Sequence, residues 1–172
     1  MLLVYGFNPA EAVRSFEAAL AIDPACASCW WALAWALGPN INADMPPQAA
    51  TRVESALVQA RRHAPRATPM QRALIGALSL RHPGGGVVDE SAYARRLQAL
   101  ARRFPRDADV ALLAAEALMN LHPYDWWAPD GAAQPWTGDI ERLLRRAISL
   151  QPRHPGAHHY WIHLQESSPH PQ

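Results

Sequence analysis

Histidines and an acidic residue are clustered near the end of the chain, in the segment HPGAHHYWIHLQES. His159, His163 and Glu166 are spaced i, i+4 and i+7, so on an α-helix the three side chains share one face. Two imidazoles and a carboxylate that face one point can bind zinc, copper or non-haem iron. These three residues are therefore candidate metal ligands.

A structural role for the same residues stays open. A structural zinc site needs four ligands, and the helix offers three, so His122, His154, His170 or residues outside this chain would have to complete it. The segment also lacks the general base that HExxH places between its two histidines. In the alternative interpretation, both histidines hydrogen-bond to Glu166 and to nearby loop residues, and the neighbouring His158 is packed against other side chains.

The two cysteines of the chain, Cys26 and Cys29, lie in the sequence CASC at a predicted helix start. An exposed thiol at such a position is reactive, because the helix dipole favours its thiolate. No second CxxC and no βαβ pattern accompany the pair, and Trp30 stands where haem attachment would need a histidine. We therefore expect two small residues that are packed between helices.

The elements that must position these residues are predicted from four prolines with similar surroundings, Pro24, Pro65, Pro105 and Pro152. At 12, 8, 5 and 4 residues before each proline, every position except Arg61 is apolar. These offsets form one stripe of a 3.6-residue helical period. Each helix should end near its proline, which cannot continue it.

A second apolar stripe follows each proline, so the predicted unit is a helix, a short proline turn and another helix. No segment alternates with the period of a β-strand. The fold class is therefore predicted as all-α. The four predicted units cover residues 6–38, 47–81, 89–121 and 138–167.

The first unit, FNPAEAVRSFEAALAIDPACASCWWALAWALG, resembles the tetratricopeptide repeat (TPR). The resemblance is strong over residues 6–38, fair over 91–120 and weaker elsewhere. It implies antiparallel helix pairs stacked as a right-handed superhelix, or α-solenoid, with a concave groove. Its matching positions are Ala12, Phe16, Ala19, Leu20 and Pro24 in one helix and its turn, and Ala27, Trp30, Leu33 and Ala34 in the next.

The whole chain also resembles a group of bacterial TPR-like proteins of unestablished function, through YGFN, GPNIN, AEALM and HPGAHHYWIH. Proteins of that group are longer, with further histidine-rich sequence. The resemblance therefore implies that residues 1–172 form a single repeat domain within a longer chain. A fragment of a repeat array exposes apolar surface at its cut ends, so self-association through the terminal helices is expected.

If the TPR register holds, the groove is lined by positions seven, eleven and fourteen residues after each proline. Trp31 and Trp35 would then form apolar pockets, and Arg72 would clamp a carboxylate of an extended peptide. The same register turns the histidine cluster into the groove. The predicted partner-binding residues are Trp31, Trp35, Arg72, Leu112, Glu116 and Met119.

The joins at residues 38–48, 82–89 and 121–138 are longer than TPR joins, and loops of such length are usually functional or disordered. The last join contains four large aromatic residues, Tyr124, Trp126, Trp127 and Trp136. A solvated linker would not carry so many. We therefore expect this loop to fold back onto the helices, either as a structural cover or as a ligand contact.

The composition argues against several classes of partner. The 16 basic and 15 acidic residues leave a net charge of +1, so no overall field attracts nucleic acid or an anionic membrane. No apolar run reaches the roughly 18 residues of a membrane span, and the start lacks the features of a secretory signal. The compartment stays unknown, with the cytoplasm as the default.

Three functions are compatible with these patterns. The leading hypothesis is a scaffold that binds a peptide or protein partner in its groove. The alternative is a metal-binding protein, possibly a metalloenzyme, that uses zinc, copper or iron at the histidine cluster. In the third, the repeats only extend a larger solenoid. No catalytic residue is predicted, so enzymatic activity stays open.

Overall fold

The protein is described by a computed structural model over residues 1–169. Across these residues the secondary structure is helical, without a β-strand, which confirms the all-α class. No helix in this part of the chain combines the length and apolar character that a membrane span requires. The helices are α1 Leu2–Tyr5, α2 Pro9–Ile22, α3 Ala27–Leu37, α4 Ala50–His63, α5 Pro69–Arg81, α6 Glu90–Arg103, α7 Ala108–Leu121, α8 Thr137–Leu150 and α9 Pro155–Glu166.

Each predicted unit contains two of these helices, joined by a turn at its proline. The position twelve residues before the proline is at most 1% exposed in all four units, where it is Ala12, Val53, Tyr93 and Ile140. Side chains at this offset are buried because they lie on the apolar stripe of the first helix. The predicted helical stripes are therefore confirmed, whereas the stacking of the helices as repeated pairs stays a prediction.

The second helix of each pair begins with a side-chain cap, which satisfies a backbone N–H that has no partner within the helix. In each case the cap accepts the N–H of the residue three positions later. At Thr68 the Gln71 side chain also returns to the cap backbone and forms a capping box. The capping atoms are Cys26 Sγ, Thr68 Oγ1, Asp107 Oδ1 and His154 Nδ1, at 3.1, 3.2, 2.9 and 3.3 Å.

The chain divides into two compact units, with the boundary inside α6 between Tyr93 and Ala94. In the first unit, α3 packs against α2, α4 and α5. In the second unit, α8 packs against both α7 and α9. The assignment of the whole chain to a single repeat domain stays a prediction.

Two helices are apolar around nearly their whole circumference, and both are largely buried. In α3, ASCWWALAWAL, seven side chains are buried. In α7, ADVALLAAEALMNL, every residue from Val110 to Asn120 is buried. A helix without a polar face is expected to be enclosed on all sides. Side chains of α3 and α7 are therefore core residues of their units.

Arg81 is completely buried within the first unit. Its Nε and Nη2 atoms donate to the Glu90 carboxylate over 3.0 and 2.7 Å, and Nη2 also donates to the Pro39 carbonyl over 3.0 Å. The guanidinium lies over the Tyr93 ring, 4.8 Å from its centroid. One buried cation thus joins the loop after α3 to the start of α6.

His82 follows Arg81 in the chain and is also buried, at 6% exposure. Its Nε2 atom has no hydrogen-bond partner among residues 1–169. Burial and, to a smaller extent, the positive charge of Arg81 lower the pKa of His82 from 6.5 to about 4. At neutral pH the folded chain therefore holds this ring uncharged.

Candidate functional site

Most of the predicted groove residues are buried in the protein core. The indoles of Trp31 and Trp35 stack with centroids 5.7 Å apart, and Trp35 also meets the ring of Tyr5 edge-on at 5.8 Å. Leu112 and Met119 are fully buried, and Glu116 is 2% exposed. A buried side chain offers no surface to a partner.

Arg72 is the exposed member of the predicted groove set. Its Nη1 atom donates to the carbonyl of Ala67, in the turn before α5. The guanidinium is therefore engaged with its own backbone, although its exposure leaves it accessible to a carboxylate. Its role as a clamp stays a prediction.

The histidine cluster lies on α9, with its three predicted residues on one face. His163 Nδ1 is 3.1 Å from Glu166 Oε1, and His163 Nε2 is 3.1 Å from His159 Nε2. A carboxylate only accepts hydrogen bonds, so the proton between His163 and Glu166 resides on Nδ1. In its neutral form, His163 therefore presents the Nε2 lone pair to His159.

Tyr124 borders this cluster from the loop before α8. Its ring stands edge-on to the His163 ring, with centroids 6.3 Å apart. Its backbone has φ of 57°, in the left-handed region that non-glycine residues rarely adopt. Burial, together with the negative charge of Glu166, raises the pKa of the Tyr124 hydroxyl. The site thus contains a phenol beside two imidazoles and a carboxylate.

Two of the additional candidate ligands, His154 and His122, contact residues outside this cluster. His154 Nδ1 caps α9, and its Nε2 is 3.1 Å from Asp109 Oδ1, so both ring nitrogens have contacts. His122 stacks on Trp136 with centroids 3.6 Å apart, and burial lowers its pKa. His170 lies outside the described residues.

His158 departs from the prediction of a packed ring. It is exposed, and its Nε2 lies 2.9 Å from the carbonyl oxygen of Pro152. Because His158 stands in the first turn of α9, its ring folds back over the turn before the helix instead of entering the core. The prediction for this residue is therefore wrong.

No group of three or more His, Cys, Asp or Glu side chains within residues 1–169 is arranged to hold a metal ion. Glu166 contacts the ring nitrogen of His163 that faces away from His159, so the three predicted ligands do not converge on one point. The two Nε2 atoms lie 3.1 Å apart. Two nitrogens that each lie about 2.0–2.1 Å from one tetrahedral zinc would be separated from each other by about as much as these two Nε2 atoms are.

A cleft of about 610 Å³ lies in the second unit, beside α8 and α9. The Arg145 guanidinium lies over the Trp161 ring, 4.6 Å from its centroid. Two further lining residues are hydrogen-bonded to each other, with Gln165 Nε2 donating to Glu141 Oε1 over 3.0 Å. The cleft is lined by Trp127, Glu141, Arg145, Trp161, Gln165, Ser168 and Pro169.

The aromatic loop before α8 folds back onto the helices, as predicted. Trp126 is completely buried, and Trp127 Nε1 donates to the Leu164 carbonyl of α9 over 2.7 Å. Trp136 Nε1 donates to the Asp125 carbonyl over 2.7 Å.

The predicted groove did not include the cleft beside α8 and α9, because Arg145 and Trp161 lie outside the assumed groove register. The sequence feature that could have indicated the cleft is the high density of tryptophans in the aromatic loop before α8.

Cys26 and Cys29 form a disulfide at the start of α3. Both residues are half-buried, so the expectation of two thiols packed between helices is wrong. The capping geometry explains the bond. Cys26 folds over the residue three positions later, which places the two Cα atoms 5.3 Å apart, within the usual disulfide range.

No protein-family model, curated protein or solved structure matches the chain. Functional inference therefore depends on the chemistry of the residues themselves. Among the described residues, the features that support it include the cleft beside α8 and α9, the paired imidazoles on α9, and the disulfide at the start of α3.

Proposed function

We propose that this chain is a tetratricopeptide-like helical-repeat scaffold that binds a peptide or protein partner. Two helices flank each of the four prolines, and the second of the two starts with a side-chain cap near the same offset from its proline. Such pairs commonly stack into a right-handed superhelix, which presents an extended binding surface. These regularities support the proposal.

The cleft in the second unit is the observation that carries the binding role. Trp127 and Trp161 provide aromatic faces on its walls, and Arg145 provides a guanidinium stacked on one of them. Tryptophan and arginine are the residue types that most often dominate binding energy at interfaces. The cleft therefore suits an apolar or aromatic side chain that is followed closely by a carboxylate.

The proposed partner is still a peptide or protein, but the proposed binding surface is the cleft and not the predicted groove. Of the groove set, Trp31, Trp35, Leu112, Glu116 and Met119 are buried, whereas the rim of the cleft is accessible. Arg145 is exposed, and both tryptophans of the cleft are half-buried. A half-buried indole already has a defined orientation, so a partner would lose little entropy in ordering it.

Paired peptides would test this proposal. A library of short peptides, each made with a free C-terminal carboxylate and with an amide, is screened by fluorescence anisotropy. We expect the carboxylate form of the best binders to bind more tightly. Arg145→Gln should remove that preference, with a loss of roughly 10- to 100-fold for the carboxylate form, the usual size for a charged hydrogen bond. Trp161→Ala should weaken both forms.

Arg153→Gln is the matched control, because Arg153 is an exposed arginine of the same unit that does not line the cleft. It should leave both affinities unchanged. Peptides that bind equally well to the wild type, Arg145→Gln and Trp161→Ala would remove the cleft as the partner site.

The paired imidazoles support a second candidate function, the binding of a zinc, copper or iron ion. In this proposal His159 Nε2 and His163 Nε2, 3.1 Å apart, are the protein ligands. Glu166 accepts from His163 Nδ1 and thereby holds the ring and its tautomer in place, as carboxylates often do behind a metal-bound histidine. Water or a partner would supply the other ligands.

Calorimetric titration with Zn²⁺ and with Cu²⁺ would test the metal proposal. Replacing both histidines, His159→Ala with His163→Ala, should abolish binding. Glu166→Gln should weaken binding by roughly 10- to 100-fold. The affinity should also fall as the solution is acidified, because protons compete with the metal for imidazole lone pairs.

His158→Ala is the control for the metal proposal, since this ring is on the same helix but contacts Pro152. It should leave the titration unchanged. Equal heats for the wild type and the double variant would refute a metal site at this pair.

A further inference from the structure

We propose that Cys26 and Cys29 are a redox-active pair, which exchanges its disulfide with the thiols of a partner protein or a small thiol. This activity is independent of the proposed peptide and metal binding, because it uses other residues at the start of α3. Its substrates would be solvent-exposed disulfides or dithiols.

The position of the pair favours the thiolate form of Cys26. Cys26 is the N-cap of α3, and its Sγ accepts the N–H of Cys29 over 3.1 Å. The helix that follows runs over Ala27–Leu37, so its positive end lies at the sulfur. A thiolate is stabilised at such an end, and the thiolate is the species that attacks a disulfide.

The turn that holds the pair does not depend on the disulfide for its shape. The Asp23 carbonyl accepts the N–H of Cys26 over 3.2 Å, and Asp23 Oδ1 accepts the N–H of Ala25 over 3.0 Å. Trp30 Nε1 donates to the Pro24 carbonyl over 2.9 Å, which ties the first turn of α3 to the proline. The reduced sulfurs should therefore stay close together, and re-oxidation becomes an intramolecular step.

The surroundings of the pair permit the approach of a partner. Cys26, Ser28 and Cys29 are half-buried, whereas Ala27 is buried. Ile22, which precedes the turn, is 88% exposed and is the most exposed of the large apolar side chains identified over residues 1–169. An exposed apolar side chain four residues before a half-buried disulfide suits contact with a polypeptide substrate.

A purely structural role explains the bond less well. A disulfide stabilises a fold mainly by closing a loop of the unfolded chain, and the effect grows with loop length. Cys26 and Cys29 are three residues apart, so their bond closes one of the shortest loops possible and joins no separate elements. A short loop of this kind is instead typical of reversible exchange in CxxC pairs.

The exchange balances as two consecutive displacements. In the reduced chain, the Cys26 thiolate attacks one sulfur of the partner disulfide, and the other partner sulfur leaves as a thiolate. Cys29 then loses its proton to water and attacks Cys26 Sγ in the mixed disulfide, which releases the second partner sulfur. Two electrons pass from the cysteine pair to the partner, and the two partner thiolates take up protons from water.

The chain contains no cysteines besides these two, so every thiol measurement reports on them alone. The folded, oxidised chain is equilibrated in buffers with graded ratios of reduced to oxidised glutathione, then alkylated and weighed by mass spectrometry. We expect a reversible transition between the disulfide and the dithiol while circular dichroism remains that of the folded chain. A disulfide that is reduced only after urea is added would overturn the proposal.

Single variants test the assigned roles. Cys29→Ser leaves Cys26 as the sole thiol, and Cys26→Ser leaves Cys29. With 5,5′-dithiobis(2-nitrobenzoate) at neutral pH, Cys26 should react at least about 10-fold faster than Cys29 in the folded chain, because only Cys26 caps the helix. In urea the two rates should become equal. Equal rates in the folded chain, with folding verified by circular dichroism, would also overturn the proposal.

Discussion

The Arg81–Glu90 pair and the Glu166–His163–His159 chain are both hydrogen-bonded polar clusters, but their surroundings differ. The Arg81 side chain is 0% exposed and that of Glu90 is 19% exposed. In the other cluster the His163 side chain is 18% exposed and that of Glu166 is 46% exposed. The arginine is also held by a backbone carbonyl and an aromatic ring.

This difference separates a structural cluster from a chemical one. A buried charge that loses its partner leaves a large desolvation cost uncompensated. A half-exposed pair can exchange its partners for water, so its contribution to stability is small. The Arg81 cluster is therefore expected to govern the stability of its unit, and the α9 cluster is available for binding.

The largest effect is expected from Arg81→Leu, which removes the buried cation and leaves Glu90 without it. The free energy of unfolding should fall by about 3–5 kcal/mol, measured by urea denaturation. Adding Glu90→Leu to this variant should recover much of the loss, because the isolated carboxylate is then removed as well.

Arg52→Leu is the control for this prediction. Arg52 belongs to the same unit and pairs with Glu17 at 2.6 Å, but their side chains are 53% and 50% exposed. The control should change the free energy of unfolding by less than about 1 kcal/mol. Equal losses for Arg81→Leu and Arg52→Leu would contradict the contrast between buried and exposed clusters.

A buried histidine extends the comparison to a titratable group. The pKa of His82 is lowered from 6.5 to about 4 in the folded chain, so the unfolded chain binds a proton more readily. The stabilising contribution is fully present above pH 6.5 and is lost as the pH falls towards 4. The wild type should lose up to about 3 kcal/mol across this interval through His82.

The variant His82→Gln, which does not titrate, isolates this effect. Urea denaturation at several pH values between 4 and 7 should give a shallower decline of the free energy of unfolding for the variant than for the wild type. Parallel declines would show that His82 does not set the acid sensitivity.

The smallest effect on stability is expected at the exposed cluster. Glu166→Gln should change the free energy of unfolding by less than about 1 kcal/mol, measured by the same urea denaturation. The contact with His163 is half-exposed, so water can replace it. A loss of several kcal/mol would place this cluster in the structural class with Arg81.

Much of the fold could be predicted from the sequence because local patterns determine it. The apolar stripes before Pro24, Pro65, Pro105 and Pro152 are properties of single helices, and prolines end helices for local steric reasons. The capping box at Thr68 and Gln71 is likewise determined locally, by the sequence Thr-Pro-Met-Gln.

The site could be predicted only in part, because it depends on contacts between distant residues. The spacing of His159, His163 and Glu166 placed them on one face, but it could not specify that Glu166 contacts the outer nitrogen of His163. The predicted groove residues depend on a repeat register, which local patterns do not determine. The sequences of α3 and α7 lack a polar face, which is a signal of burial.

The helix caps give the four joints between paired helices different chemical sensitivities. Reduction acts on the cap of α3 and on no other, because a cysteine sulfur begins that helix alone. The corresponding caps of α7, α9 and α5 are the Asp107 carboxylate, a ring nitrogen of His154 and the Thr68 hydroxyl, none of which a thiol reductant alters. A change in redox conditions thus alters the chemistry of one cap and leaves the other three unchanged.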